Sequence, residues 1–339
     1  MLTTKMMRSI KDNTYVFSPW SIEAVLRCCL IGSAGRTETQ LKAALGDVQF
    51  HTRFPSNGAT INTEVFAVAD SVYKFLDRYK QAIQESLQCT VENRNFRDAE
   101  RVRSDINSRV NRATRNLIKD ILPSHLPNET TKMLLVSALY FFGEWAYPFD
   151  VNKTTEMPFR AGNSSYVTMM QSSFNYIPYY EDDLFQVAFL PYLGGSSFIL
   201  ALPRNVGNVP NITEDMLGNW FNKRTNIGVK VSMPKFTSRF CKIKDVIPLL
   251  TDIGITDLFS HSANLSKMDG TNNLFVSDVL HDAIIIVDEF KTEGAAATVA
   301  AVAMKGIMNV REMKADHPFA YFVVEENTSE ILLAGKFSN

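Results

Sequence analysis

The stretch "MLLVSALYFF", residues 133–142, constrains the fold more than any other part of the chain. Successive side chains of a strand point to opposite faces, so a nearly unbroken apolar run leaves neither face for water. The chain must therefore build a sheet with this strand in its interior and cover on both sides. Other runs supply its companions. "FQVAFLPY" and "SSFILALP" flank Gly194 and Gly195 as a hairpin, "VKVSMPKF" and "AIIIVDEF" add strands, and "FAYFVVEENTSEILLAGKF" makes a terminal hairpin turning near Asn327.

Helical spacing is concentrated in the first third. Ser18 caps a helix with Pro19 in its first turn, and Ile22, Val25, Leu26 and Cys29 fall on one side of it. In "GSAGRTETQLKAALG", Thr37 and Gln40 form a capping box and Gly46 closes the far end. From Asp98 to Leu122, Val102, Ile106, Val110, Ala113, Leu117 and Ile121 recur every three or four positions, which predicts one long amphipathic surface helix. Helices first and strands after predict an α+β protein with large, mostly antiparallel or mixed sheets. No low-complexity tail, tandem repeat or Pro/Gly/Ser linker divides the chain, so residues 1–339 are expected to form one domain.

Composition excludes several functions. No segment reaches the roughly 18 to 20 uninterrupted apolar residues that a bilayer span needs, and the charge-free stretch Gly294 to Met304, closed by Lys305, is too short, so no membrane partner is expected. The net charge of −1 removes the footprint of a nucleic-acid binder. Arg101, Arg103, Arg109, Arg112 and Arg115 cluster locally, but Asp98, Glu100, Asp105 and Asp120 share the region, as on a solvated helix face. Cys28, Cys29, Cys89 and Cys241 match neither a disulfide framework nor a metal spacing and read as free thiols, with Cys28 and Cys29 filling core. Asn128, Asn152, Asn163, Asn211, Asn264 and Asn327 each begin an N-x-S/T sequon, about twice the number chance would give. That excess favours a secreted glycoprotein; "MLTTKMMRSIKDN" lacks the apolar core of a signal peptide, which leaves a cytoplasmic protein as the alternative.

No enzyme is legible. There is no H-E-x-x-H, no G-x-S-x-G and no complete phosphate loop, and His51, His125, His261, His281 and His317 lie scattered without metal-ligand spacing. No metal or cofactor is expected. His281 heads an apolar strand, where a hydrogen-bonded core histidine is the simpler reading than a catalytic base.

Eleven segments, in order and across nearly the whole chain, resemble the serpin family: "FSPWSI", "GSAGRTETQL", "LLVSALYFFGEWAYPFD", "VTMM", "LPYLG", "PKF", "LLTDIGITDLF", "ANLSKM", "LFVSDVLHDAIIIVDEF", "ADHPF" and "ILLAGKF". The resemblance implies a helical bundle packed on three β-sheets, with an exposed reactive-centre loop at about residues 290–312. Cleavage of that loop lets its first half insert into the central sheet and traps the protease as an acyl-enzyme. An insertable strand needs small, uncharged side chains; Thr292, Gly294, Ala296, Thr298, Ala300, Val302 and Met304 give one face without a charge. About a dozen new ladder hydrogen bonds, each worth roughly 1 kcal/mol net, would make the uncleaved fold a kinetic trap.

Matching Glu289 to the family's hinge glutamate and counting sixteen residues onward places the reactive bond at Lys305–Gly306. A lysine there suits a trypsin-like serine protease, the implied partner; a register one residue earlier, at Met304, would point to chymotrypsin- or elastase-like enzymes. The hinge would run through Glu289, Phe290, Lys291, Thr292, Glu293, Gly294, Ala295, Ala296, Ala297 and Thr298. It departs from the inhibitory pattern at Lys291 and Gly294, where the family usually has Gly and Ala. Phe290 and Lys291 would slow insertion, whereas Thr292 keeps the small side chain that inhibition requires. Ser18, Ser21 and His281 match the family's shutter cluster, with Ser137 in place of its asparagine, and Trp145 matches the tryptophan at the breach where insertion begins. The resemblance thus implies an irreversible suicide-substrate inhibitor, a monomer with no catalytic residue of its own; a non-inhibitory carrier, chaperone or storage member is the alternative. Helices are short or missing between residues 46 and 63, so heparin activation through the family's usual helix is not expected. The chain also begins inside the family's first helix, which implies a shortened amino terminus.

Overall fold

The apolar run becomes the interior of a strand, Met133–Gly143, buried at ten of its eleven positions. A computed structural model describes residues 2–46, 50–52, 59–87, 89–161, 163–239, 246–289 and 310–339. In chain order these form α1 (Leu2–Ser9), β1 (Tyr15–Phe17), α2 (Pro19–Gly32), α3 (Gly35–Leu45), β2 (Ala59–Asp70), α4 (Asp77–Leu87), β3 (Thr90–Arg94), α5 (Ala99–Ala113) and β4 (Met133–Gly143). There follow β5 (Thr155–Ala161), β6 (Asn163–Glu181), β7 (Phe185–Pro191), β8 (Ser196–Pro203), α6 (Glu214–Lys223), β9 (Thr225–Pro234), β10 (Phe236–Arg239), α7 (Ile247–Asp252), α8 (Ser266–Asp269), β11 (Asp278–Val287), β12 (Arg311–Lys314), β13 (Phe319–Glu325) and β14 (Ile331–Phe337).

Among the described residues the strands make two sheets. The larger, of nine strands, runs β1-β14-β13-β8-β7-β6-β9-β12, with β5 paired to β6; the smaller runs β10-β11-β4-β2-β3. Within the smaller sheet β4 is antiparallel to β2 and parallel to β11, the latter over Leu134–Phe141 against Asp278–Ile285.

Alternation along β4 divides its side chains between two separate cores. Leu135, Leu139 and Phe141 join the main core, which includes Ile22, Val25 and Leu26 of α2. Leu134, Val136 and Ala138 join a second core closed by Val102, Ile106 and Val110 of α5. Each fully buried Leu or Val stabilises the fold by about 1.5–3 kcal/mol, so both faces of the strand are held.

Most predicted elements appear. Ser18 caps α2, its Oγ accepting from Ser21 N at 3.1 Å. Gly194 and Gly195, both in the left-handed region at φ 90° and 88°, turn the chain from β7 to β8. Two expectations fail. α3 starts at Gly35 after an Ala34 cap, so Thr37 and Gln40 form no capping box. Instead Thr37 Oγ1 accepts from Asn264 N and the Gln40 amide bridges Thr256 and Asp257, because long-range partners outcompete the local box. The long helix expected to reach Leu122 stops at Ala113: Arg115 and Asn116 take positive φ, and Ile118 and Leu122 turn inward from an irregular segment. Between residues 46 and 58 no described residue is helical.

Candidate functional site

The parallel junction of β4 and β11 is closed from beneath by the first turn of α2. Ser137 and His281 are register partners across the junction, and Ser18 and Ser21 lie against them. Ser18 N donates to His281 Nε2 at 3.0 Å, so a neutral ring carries its proton on Nδ1. Nδ1 lies 3.0 Å from Ser137 Oγ, which donates to Ser21 Oγ at 2.7 Å; Ser21 Oγ in turn donates to Ser18 O at 3.4 Å. The three serines have no exposed surface. Burial drives the His281 pKa from 6.5 down to about 3, against a hydrogen bond from the ring to Ser137 that raises it, so the imidazole is neutral at physiological pH. The serine hydroxyls are sealed from solvent and their bonds run between β4, β11 and α2, so this chain of bonds clasps two strands.

At the end where β4 and β11 both finish, Trp145 covers the junction. Its indole Nε1 donates to Asp288 O at 2.7 Å, and its ring stacks on Tyr192 at 4.3 Å with Phe149 and Phe198 edge-on. Gly143 makes this possible, since a Cβ there would sit 2.4 Å from the Tyr192 ring. One residue past Asp288, the buried Glu289 receives a 2.8 Å bond from Lys235 Nζ at the β9–β10 corner. Burial, the largest single influence, raises its pKa, but hydrogen bonds from Lys235, the backbone and Thr154 together with the Lys235 charge outweigh it and leave the carboxyl below its ordinary value. The chain leaving β11 is thus pinned at Asp288 and Glu289.

The structure brings together Ser18, Ser21, Ser137 and His281, and places Trp145 and Glu289 at the exit of β11. Phe290, Lys291, Thr292, Glu293, Gly294, Ala295, Ala296, Ala297, Thr298, Lys305 and Gly306 lie outside the described residues, as does Cys241. Asn128, Asn152, Asn211 and Asn327 are exposed, Asn264 is half-buried, and Asn163 opens β6. Tyr192 and Lys235 were missed as functional residues. Both sit in motifs quoted above, "LPYLG" and "PKF", but nothing local shows that a ring stacks under Trp145 or that an ammonium reaches Glu289.

The match to known proteins covers everything just described. The family description Serpin (serine protease inhibitor) matches residues 1–339. The chain belongs to the serpin family. Leukocyte elastase inhibitor of Xenopus tropicalis is 30% identical over 98% of this chain and 96% of its own length. Leukocyte elastase inhibitor of Bos taurus is 31% identical over 95% of this chain and 92% of its own. Among solved structures, uncleaved ovalbumin superposes with a TM-score of 0.85 at 25% identity, covering 99% of this chain and 97% of that one. The thermophilic serpin tengpin in its native state superposes at 0.87 with 22% identity, covering 100% and 92%, which bears on the fold alone. This serpin is therefore an α+β protein of the serpin fold.

Proposed function

We propose that this serpin is an irreversible suicide-substrate inhibitor of trypsin-like serine proteases, cleaved at Lys305–Gly306. The observation that carries the reading is the parallel β4–β11 junction. A chain that leaves the end of β11 and folds back between the two strands runs antiparallel to both. One parallel junction is replaced by two antiparallel ones, which are somewhat better bonded per residue. Trp145 and the pinned Asp288–Glu289 segment stand at the entrance, and the His281–Ser137 bond must break for the strand to pass. The protease serine attacks the Lys305 carbonyl, the Lys305–Gly306 bond breaks, the Gly306 amine leaves, and the acyl-enzyme is carried off before water completes hydrolysis. The chain supplies no catalytic group.

The relatives named leukocyte elastase inhibitor support a serine protease as partner, and their name favours a second register with Met304 as the recognised residue. Incubation with trypsin tests both. A denaturant-resistant adduct of the summed masses, with Gly306 at the new amino terminus of the released peptide, is the expected result. Lys305→Ala should abolish the trypsin adduct, and Thr292→Arg should turn the protein into a plain substrate by forcing a charge into the closing sheet. A peptide starting at Lys305 would move the bond to Met304. Clipping with no adduct would favour a non-inhibitory member, the outcome to which Phe290 and Lys291 would contribute.

A further inference from the structure

The β4–β11 junction is joined a second time at its foot, the end remote from Trp145. Lys132, immediately before β4, donates through its backbone N to Ser277 Oγ at 2.8 Å and through Nζ to Asn273 O at 2.6 Å. Ser277 N returns a bond to Met133 O at 2.8 Å. The Lys132 ammonium also lies 4.5 Å from the centre of the Phe275 ring and 5.7 Å from that of Tyr73.

This ammonium lines a cleft of about 860 Å³, ample for a small ligand. One wall, with Tyr73, Phe96 and Arg97, is made by the loops that follow β2 and β3. The other belongs to the chain leading into β11, where the rings of His261 and Phe275 meet edge-on at 5.0 Å. Rings from both walls therefore offer apolar surface to an aromatic group. The charges in the cleft select its sign. Lys132 spends one ammonium hydrogen on Asn273 O and has no carboxylate beside it, and the exposed Arg97 guanidinium has no acceptor among the described residues, so both keep donors for an anion. The Asp70 carboxylate is already engaged, accepting from Val72 N at 2.9 Å and from Phe96 N at 3.1 Å. Glu129, exposed and without a partner among the described residues, is the charge that opposes an anion there.

We propose that this cleft binds a small aromatic carboxylate, its ring against Tyr73 and Phe275 and its carboxylate paired with Lys132, and that occupancy slows the parting of β4 from β11. A bare anion would leave the rings uncovered, and a neutral aromatic would leave the cations unused. Arg97 adds attraction without a contact of its own to break. The two walls belong to opposite sides of the junction: Tyr73 and Lys132 go with β2 and β4, His261 and Phe275 with β11. A ligand touching both walls therefore binds the closed arrangement better than the open one, and it favours closure by that difference. A strand slowed over the last residues of its insertion leaves the acyl-enzyme longer exposed to water. The braking half of the inference rests on the inhibitory reading given above.

The test titrates the whole chain with indole-3-acetate by ligand-observed NMR, beside indole-3-acetamide, which keeps the ring and loses the charge, and acetate, which keeps the charge and loses the ring. Indole-3-acetate should saturate with a dissociation constant of about 1 mM or below, and each comparator should bind about ten-fold more weakly or worse. Lys132→Met should weaken the acid about ten-fold and leave the acetamide unchanged, which also reports that the cleft keeps its shape. Arg97→Gln, at an exposed side chain with no partner to lose, should weaken the acid about three-fold, and Glu129→Gln should tighten it about two-fold. Phe275→Leu should weaken acid and acetamide alike. With trypsin, saturating indole-3-acetate should lower the ratio of adduct to clipped product about three-fold in the wild type and not in Lys132→Met. No saturable binding, equal affinity for acid and acetamide, or acid binding undiminished in Lys132→Met and Arg97→Gln would each overturn the site; an unchanged ratio in the saturated protein would overturn the brake. If the unliganded protein gives no adduct at all, the inhibitory reading fails, and the titration alone then decides the site.

Discussion

Acid should loosen the fold through one imidazole. His281 is neutral down to about pH 3 in the folded protein, against an ordinary value of 6.5 once exposed. Between those values the unfolded chain binds the extra proton, so stability rises with pH there. The contribution is complete above pH 6.5 and is lost as pH falls toward 3, at about 1.4 kcal/mol per unit. From pH 7 to pH 4.5 the linkage integral gives a loss of about 2.5 kcal/mol. Many carboxylates also titrate over that interval, so the measurement is a double difference. Urea unfolding of the wild type and of His281→Asn is followed at both pH values, the asparagine keeping one acceptor and one donor without a titratable group. The wild type should lose about 2.5 kcal/mol more than the variant. Equal losses would mean that the ring is already charged in the fold, or that the clasp opens before the proton arrives, and the assignment of Nε2 as acceptor would have to go.

Two further predictions concern the frame of the site. Trp145→Phe removes the donor to Asp288 O and part of the stack on Tyr192, and should cost about 2 kcal/mol in thermal melting experiments; an unchanged transition would show that the indole does not hold the strand end. In Gly335→Ala the new Cβ would meet the Tyr321 ring at 2.3 Å and Tyr15 O at 2.6 Å, neither able to yield cheaply, so urea unfolding should report a loss of about 2–3 kcal/mol; a neutral variant would contradict the packing of β14 against β1 and β13.

How much of this was legible depended on the range of the forces involved. The β4 strand could be read because burial on both faces leaves an apolar run, and α2 because Ser18 and Pro19 act within one turn. The helix expected to reach Leu122 could not be ended correctly. Its apolar period continues past Ala113, and only the tertiary packing of Ile118 and Leu122 explains why the backbone turns at Arg115 and Asn116. The capping box failed for the same reason, since Asn264 and Asp257 lie more than two hundred residues away from Thr37 and Gln40. β6 was missed beyond a short motif because polar runs such as Asn163–Ser165 and Gln171–Ser173, with Pro178, break any apolar alternation through its nineteen positions. For the site, family resemblance supplied Ser18, Ser21, Ser137, His281 and Trp145, whereas Tyr192 and Lys235 enter only through packing.

The split of β4 between two cores has a mechanical consequence. α5 packs on β2 and β4 and is fastened there by Arg109, 2.7 Å from Glu64 and stacked over Phe66; its layer reaches β11 at Leu280, Ile284 and the partly buried Ile286. α2 grips both banks of the junction. In the strand insertion proposed above, α5 would travel as cargo on the moving slab, and slippage would be confined to the underside, where Leu135, Leu139 and Phe141 would glide over the helix like a bearing. Neighbouring residues of one strand thus have different duties: the upper set sets how firmly the slab holds together, and the lower set how freely it slides.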